Sequence, residues 1–210
     1  MKPLIYLGAV IFVVTSGYTL SRKGIINYGK KTKPVEEINI PFDNVHSGDI
    51  VFRLGHGFMS EALRKFSLKD PRYSHTGVIS IENGEPVVYH LLGGESSVSV
   101  IQKESLKNFC SKAEAASFAV YRAALSETQI KSLDSLNHFY FRTKLRYDSQ
   151  FDLTTDSAMY CTEYVYKALS KVSEKNILIS SSILSERRYI ACDDIYLSPA
   201  IQKVFSFVYE

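Results

Sequence analysis

Cysteine and histidine are the residue types through which this chain of 210 residues could do covalent chemistry. It contains three cysteines and five histidines. It contains none of the short motifs typical of phosphate-binding loops, dinucleotide-binding folds, zinc peptidases or serine hydrolases. Nucleophilic catalysis by a thiol that an imidazole activates is therefore the chemistry to consider first.

Cys161 is the strongest candidate for a nucleophile. The apolar spacing predicts a helix over Met159 to Val172, with Asp156 or Ser157 as its N-cap, so Cys161 falls in the first turn. Unpaired N–H groups and the positive end of the helix dipole stabilise a thiolate there and lower its pKa.

A buried structural cysteine is the alternative interpretation of the same position. Cys161 continues the apolar stripe of Val165 and Ala168 at helical spacing. On the helix alone this alternative is favoured, because free cysteine is among the most buried residue types.

Two histidines lie in a predicted hairpin. Thr76–Ile81 and Pro86–Leu91 flank Asn83-Gly84, a strong hairpin signal. With a loop of two or four residues, His90 faces Gly77. His75 then lies on the same face as His90, with roughly 7–8 Å between their backbones. A loop of three residues would turn His90 to the opposite face.

Cys161, His75 and His90 together have the residue types of a nucleophile, a base and an orienting group. Two other interpretations stay open: a hydrogen-bonded pair of histidines without catalytic role, and a metal site of ligand types that zinc accepts. The catalytic interpretation requires no metal and no organic cofactor.

The elements that must position these residues mix strands and helices without regular alternation, which favours the α+β class with helices on an antiparallel sheet. We predict strands over Asp49–Arg53, Val98–Ile101 and Ala119–Tyr121, and helices over Ser60–Phe66, Ser105–Cys110 and Ser126–Arg142. Ser60 is the predicted N-cap of the first helix, and Ser126 with Gln129 forms a capping-box pattern.

Several segments resemble, in order, the strand motifs of the NlpC/P60 cysteine-hydrolase superfamily. They are Gly48–Phe52, Tyr73–Ile79 and Val87–His90. The cysteine segment Tyr160–Val165 follows these strands, an order that resembles the circularly permuted branch, the YiiX/YebB-like family of papain-fold hydrolases. Similar segments also include Phe151–Leu153, Asp156 and Asp193–Pro199, so that the resemblance covers about 45–199.

This resemblance implies a circularly permuted papain-like NlpC/P60 fold, with Cys161 as nucleophile, His75 as general base and His90 as the orienting group. Members often carry a glutamate at the position of His90. A histidine there is neutral or positive, so His75 is less basic than with a carboxylate partner. Glu163 matches a family glutamate and is predicted to cap the helix, because it points away from the thiol.

The functional hypothesis is a thiol hydrolase or acyltransferase, of peptidase or amidase type, acting on an amide or ester through a thioester at Cys161. Cell-wall peptides and lipid esters or amides are both candidate substrates. The alternatives are a non-catalytic ligand-binding module on the same fold, or a metal site of His75, His90 and Cys161.

Charge and the N-terminal segment bear on partners and location. The net charge of +3, from 25 basic and 22 acidic residues, provides no basic footprint for nucleic acid.

The uncharged run Pro3–Leu20 predicts a signal peptide or membrane anchor over 1–20, hence a protein that is exported (periplasmic or extracellular) or membrane-anchored. A basic linker over 21–43, whose charges favour a cytoplasmic body, and a hydrolase domain over 44–210 complete the predicted organisation.

The remaining cysteines and histidines have simpler interpretations. Cys110 and Cys192 are predicted packing residues, with a disulfide between them as the alternative in an exported body. His46, His56 and His138 are predicted on the surface or in loops, and the glycine-flanked His56 could border a cleft.

Overall fold

The computed structural model describes residues 40–93, 99–173, 177, 179, 181–184 and 187–210. Within this part of the chain, the strands are β1 (Asp49–Leu54), β2 (His75–Glu82), β3 (Glu85–Leu91), β4 (Ile101–Ser105), β5 (Ser117–Ala123), β6 (Arg146–Tyr147), β7 (Ala158–Met159), β8 (Ser182–Leu184), β9 (Arg187–Tyr189) and β10 (Ile201–Val208). The helices are α1 (Gly57–Arg64), α2 (Leu106–Phe109), α3 (Glu127–Arg142), α4 (Cys161–Val172) and α5 (Cys192–Tyr196).

A six-stranded antiparallel sheet organises these elements. Its strand order is β10-β5-β1-β2-β3-β4, and every neighbouring pair is antiparallel. Two small ribbons accompany it, the parallel pair β6-β7 and the antiparallel pair β8-β9. The α+β class with an antiparallel sheet is therefore confirmed.

The hairpin between β2 and β3 has the register that places the two histidines on one face. Val78 pairs with Tyr89, and Glu82 pairs with Glu85 across a two-residue loop. Both loop residues, Asn83 and Gly84, have positive φ angles of 52° and 84°. Such a turn matches the twist of the flanking strands, and asparagine followed by glycine adopts it at little cost.

Hydrophobic residues cover both faces of the sheet. We call the face that α4 covers the α4 face; its core includes Ile50, Phe52, Val78, Tyr89, Val165 and Leu169. We call the other the α2 face; its core includes Val51, Ile79, Val88, Leu106, Phe109, Phe118 and Val120. Because strand side chains alternate between faces, His75 and His90 belong to the α2 face with Ile79 and Val88.

The starts of two helices differ from their predictions. α1 begins at Gly57 after the N-cap His56, so Ser60 lies inside the helix instead of capping it. α4 begins at Cys161 after the N-cap Tyr160. The predicted caps at Asp156 and Ser157 are wrong because pairing of β7 with β6 keeps the backbone extended to Met159.

The structure describes the C-terminal end of the chain but not the N-terminal end. At the C-terminus, β10 pairs with β5 and completes the sheet, an element that the sequence pattern did not reveal. The predicted signal or anchor over 1–20, and the predicted linker up to residue 39, lie outside the described residues and stay predictions. In the part of the chain described, no helix has both the length and the apolarity needed to cross a bilayer.

Candidate active site

Cys161 is the first residue of α4, where the structure confirms its place in the first helical turn. It is the half-buried member of the three cysteines, since Cys110 and Cys192 are buried, and all three are free thiols. Cys161 thus lies at a helix start and is less buried than the other two cysteines.

Burial determines the ionisation of this thiol. It raises the pKa of Cys161 to about 11, although the backbone N–H groups of Thr162 and Thr76 act in the opposite direction. The helix start therefore lowers the pKa of Cys161, as expected, but burial of the thiolate raises it by more. The resting thiol is protonated at neutral pH.

The pH dependence of alkylation tests this protonation state. We expect the rate of iodoacetamide labelling at Cys161 to rise about tenfold per pH unit from pH 7 to pH 10, because the thiolate is the reactive form and its pKa is about 11. Peptide mapping by mass spectrometry measures each cysteine separately. The buried Cys110 and Cys192, whose pKa values burial raises further, are internal controls that label more slowly. A plateau below pH 8 would contradict the expectation.

His75 and His90 lie in direct contact. Nε2 of His75 is 2.9 Å from Nδ1 of His90, a hydrogen-bond distance, and the ring planes are 77° apart. Both residues are buried. The predicted proximity of the two imidazoles is therefore confirmed, and the contact leaves Nδ1 of His75 and Nε2 of His90 for other partners.

Glu104 is a residue of this site that the sequence analysis missed. Its Oε1 lies 3.0 Å from Nε2 of His90. His90 pairs with Gln102 on β4, and Glu104, two residues further, returns to the same face. The predicted strand ended at Ile101, so no pattern in the sequence pointed to Glu104.

The Glu104 carboxylate is ionised at neutral pH. Burial opposes this by raising its pKa, but the close contacts with His90 and Asn108 and the charge of Arg53 bring the pKa below its usual value. The Asn108 amide donates to Oε2, and Nη1 of Arg53 lies 3.9 Å from Oε1. Three side chains thus hold one carboxylate at the outer end of the histidine pair.

His75 is neutral at physiological pH. Burial lowers its pKa well below the ordinary value, and the neighbouring His90 and the Arg53 guanidinium lower it further. Arg53 is fixed there by a 3.1 Å hydrogen bond to the Phe109 carbonyl and by stacking 4.3 Å over the Phe109 ring. A neutral imidazole is the form that can accept a proton from a thiol.

The thiol and the imidazoles approach β2 from different faces. The His75 ring stacks on Phe109, with centroids 5.6 Å apart, on the α2 face, whereas Cys161 belongs to the helix on the α4 face. In the described part of the chain, no hydrogen bond joins Sγ of Cys161 to an imidazole nitrogen. The thiol does reach the backbone N–H of Thr76, which follows His75 directly. Catalytic hydrogen bonds are often long in ligand-free structures and tighten in the complex with substrate.

Glu163 fixes the start of α4, as predicted. Its Oε2 accepts the backbone N–H of Tyr160 at 3.2 Å, and its Oε1 lies 2.8 Å from Nζ of Lys167. Burial raises the pKa of this carboxyl to about 7 despite the neighbouring ammonium group. Glu163 therefore holds the backbone turn that presents Cys161.

Two aspartates anchor the segments around this helix start. Asp193 accepts the backbone N–H groups of Lys69 and Asp70 at 2.7 and 3.2 Å. Asp194 accepts those of Ala191 and Ser182 at 2.9 and 3.1 Å. Both carboxylates are buried, and their contacts position backbone.

The remaining predicted residues lie away from the histidine pair. His46, His56 and His138 are exposed, as predicted. Nε2 of His56 donates to the Lys112 carbonyl at 2.9 Å. Cys110 packs in the α2 face and Cys192 in the α4 face, so the sheet separates the two thiols and the disulfide alternative is wrong.

Comparison with known proteins gives a family and a fold. The family described as permuted papain-like amidase enzyme, YaeF/YiiX, C92 family, matches residues 44–205. A curated relative, the uncharacterized protein YiiX of Escherichia coli strain K12, is 29% identical over 123 residues, which cover 58% of this chain and 55% of that protein. The match spans about half the length of this relative.

A solved structure shares the fold. The crystal structure described as metalloprotein yiiX from Escherichia coli O157:H7, DUF1105, has a TM-score of 0.64 at 20% sequence identity. The similarity covers 78% of this chain and 98% of that one.

Proposed function

Because the chain belongs to the permuted papain-like amidase family of YaeF and YiiX, we propose that it is a cysteine hydrolase that cleaves an amide or ester through a thioester at Cys161. The observation that carries the proposal is the contact between His75 and His90, one residue away from Thr76, whose backbone N–H reaches the Cys161 thiol. A half-buried thiol at a helix start and a neutral, oriented imidazole are the two groups that this chemistry requires.

The proposed reaction has two halves. Nδ1 of the neutral His75 accepts the thiol proton as Sγ of Cys161 attacks the substrate carbonyl carbon, and N–H groups at the start of α4 stabilise the oxyanion. His75 then gives this proton to the leaving amine or alkoxide as the carbon–heteroatom bond breaks, which leaves a thioester. Water attacks the thioester while His75 takes its proton, and the proton returns to the departing thiolate.

Trapping the acyl-enzyme tests the proposal directly. The full chain is mixed with p-nitrophenyl butyrate, quenched in acid and digested. We expect a butyryl adduct on the peptide that contains Cys161 and release of p-nitrophenol over many turnovers. Release without an adduct on Cys161 would contradict the thioester, and the absence of both release and adduct with ester and anilide probes would favour the ligand-binding module.

The alternative of a metal site fits this arrangement poorly. The related structure is described as a metalloprotein. Here Nε2 of His75 and Nδ1 of His90 are 2.9 Å apart and bonded to each other, whereas two nitrogens on one tetrahedral Zn²⁺ are roughly 3.3 Å apart, with the metal between them. In the residues that the structure describes, no group of three or more histidine, cysteine or acidic side chains is arranged to hold a metal ion.

A group of aromatic rings beside the cysteine bears on the substrate. Phe151 lies 5.0 Å from the ring of Tyr160, the residue before Cys161, and stacks 6.1 Å from Phe66. Phe66 and Phe151 are 40% and 37% exposed, so part of each ring is free to contact a ligand. We propose that these rings receive an apolar group next to the scissile bond, whether from a peptide side chain or from a lipid.

Replacing one of these rings tests the proposed contact. We expect Phe151→Ala to lower kcat/KM for p-nitrophenyl octanoate about 10-fold and that for the acetate ester less than about twofold, since each CH2 group of the acyl chain that loses an apolar contact costs roughly 0.8 kcal/mol. Phe139→Ala is a matched control, because this ring is similarly exposed but lies on α3. Equal losses with both esters would contradict a role in contacting the acyl group.

A further inference from the structure

Three polar side chains form a continuous line across neighbouring strands of the sheet. His75 on β2, His90 on β3 and Glu104 on β4 share the α2 face, with contacts of 2.9 Å and 3.0 Å between them. The strand register fixes this line, because His90 pairs with Gln102 and Glu104 is two residues further along β4. We propose that Glu104 is a positioning residue, which sets the tautomer of His75 through His90; this inference rests on the proposed function.

The position of each proton along this line determines the position of the next. An ionised carboxylate has no proton to donate, so the negative Oε1 of Glu104, 3.0 Å from Nε2 of His90, favours the proton of His90 on Nε2 over a lone pair there. When His90 carries a single proton and that proton is on Nε2, its Nδ1 has a lone pair, which accepts Nε2–H of His75 across the 2.9 Å contact. Neutral His75 then has its own lone pair on Nδ1. That tautomer is the one in which Nδ1 can accept the thiol proton of Cys161.

The same line stabilises the charge that forms during the reaction. When Nδ1 of His75 takes the thiol proton, the ring becomes an imidazolium that donates through Nε2 to His90. The Glu104 carboxylate at the far end interacts favourably with this positive charge in a buried environment, where charges interact strongly. Glu104 thus acts against burial, the neighbouring His90 and the Arg53 charge, which all disfavour protonation of His75.

A purely structural Glu104 is the competing interpretation. Glu104 also contacts Arg53 and Asn108, so its loss could loosen the α2 face without affecting any tautomer. Glu114 separates the two roles. Its Oε2 lies 3.6 Å from the same Nη1 of Arg53, and in the described part of the chain no contact joins it to either histidine.

Nitrogen-15 NMR of the histidine rings in the full chain tests the proposal without any substrate. Spectra at pH 8 report which ring nitrogen carries the proton. We expect both His75 and His90 to carry it on Nε2 in the wild type and in Glu114→Gln. We expect Glu104→Gln to mix the tautomers of both rings, because an amide can donate as well as accept.

Kinetics with p-nitrophenyl butyrate give the second measurement. We expect Glu104→Gln to lower kcat about 10- to 10³-fold with KM within about twofold, since a wrong tautomer of the base removes turnover without removing the binding surface. Glu104→Asp keeps the charge and should retain the wild-type tautomers and most of the activity. Thermal unfolding compares the stability of the three variants.

The outcomes separate this proposal from the proposed function. A proton on Nδ1 of His75 in the wild type, or unchanged tautomers in Glu104→Gln, would overturn the role of Glu104, and the wild-type spectrum needs no variant to fold. If the tautomers shift as expected while the wild type hydrolyses no probe, the positioning line stands and the proposed hydrolase function fails.

Discussion

Cys161→Ala is expected to abolish hydrolysis of p-nitrophenyl butyrate, a loss of about 10⁴-fold or more in kcat/KM. Removing a covalent nucleophile removes the reaction path itself, and only solvent attack in the remaining site is left. The half-buried side chain at the first residue of α4 makes a small contribution to packing, so we expect the variant to fold. Initial rates and thermal unfolding of the full chain measure the two effects.

The other two cysteines provide matched controls for this variant. Cys110→Ala and Cys192→Ala remove buried thiols and are expected to lower the free energy of unfolding by about 1 kcal/mol while leaving kcat/KM within about twofold. Comparing both control variants with Cys161→Ala separates the effect of losing a nucleophile from the effect of losing a buried contact. Activity retained in Cys161→Ala, or lost equally in all three variants, would show that Cys161 is a core residue and not the nucleophile.

The parts of the fold that short-range signals determine could be predicted from the sequence. The Asn83-Gly84 turn fixed the register of the hairpin, and from the register followed the shared face of His75 and His90. The capping box of Ser126 and Gln129 likewise marked the start of α3. Each of these features depends on a few consecutive residues, so their physical causes can be identified in the sequence itself.

The parts that depend on distant pairing could not be predicted. Glu104 joins the site only because β4 pairs with β3 in one register, across a connection of nine residues. The helix begins at Cys161 and not earlier because β7 pairs with β6 across a connection of ten residues. The hairpin pattern predicted that His75 and His90 share one face of the sheet. Which face α4 covers depends on the packing of the whole core, so the pattern could not predict it.

The ionisation of the site shows the same division between local and tertiary effects. A helix start lowers the pKa of a thiol through neighbouring N–H groups, which the sequence indicates. Burial by the assembled sheet and helices acts in the opposite direction and is larger for Cys161. Burial also lowers the pKa of His75. The site therefore rests as a neutral thiol and a neutral imidazole, and activation consists of a proton transfer during attack.

This resting state predicts the pH profile of the wild type. His75 is active when neutral and burial holds its pKa well below the ordinary value, so activity is lost only at a pH well below the range in which an exposed histidine titrates. The thiol has a pKa of about 11, and its ionisation on the alkaline side forms the nucleophile and does not remove it. We expect kcat/KM for p-nitrophenyl butyrate, corrected for spontaneous hydrolysis, to be flat from about pH 6.5 to pH 9.5. A resting pair of thiolate and imidazolium would instead lose activity on the alkaline side as the imidazolium deprotonates.

His75→Asn is expected to lower kcat for p-nitrophenyl butyrate about 10²- to 10⁴-fold at pH 7 with KM within about threefold, because asparagine fills part of the space but accepts no proton. The thiol in this variant is active only as preformed thiolate, so the remaining activity should rise about tenfold per pH unit between pH 7 and pH 9.5. The exposed His138 provides the control, since His138→Asn should keep both the rate and the flat profile. A flat profile in His75→Asn would mean that another group takes the thiol proton. A rising profile would identify His75 as the base and explain how a thiol with so high a pKa can act at neutral pH.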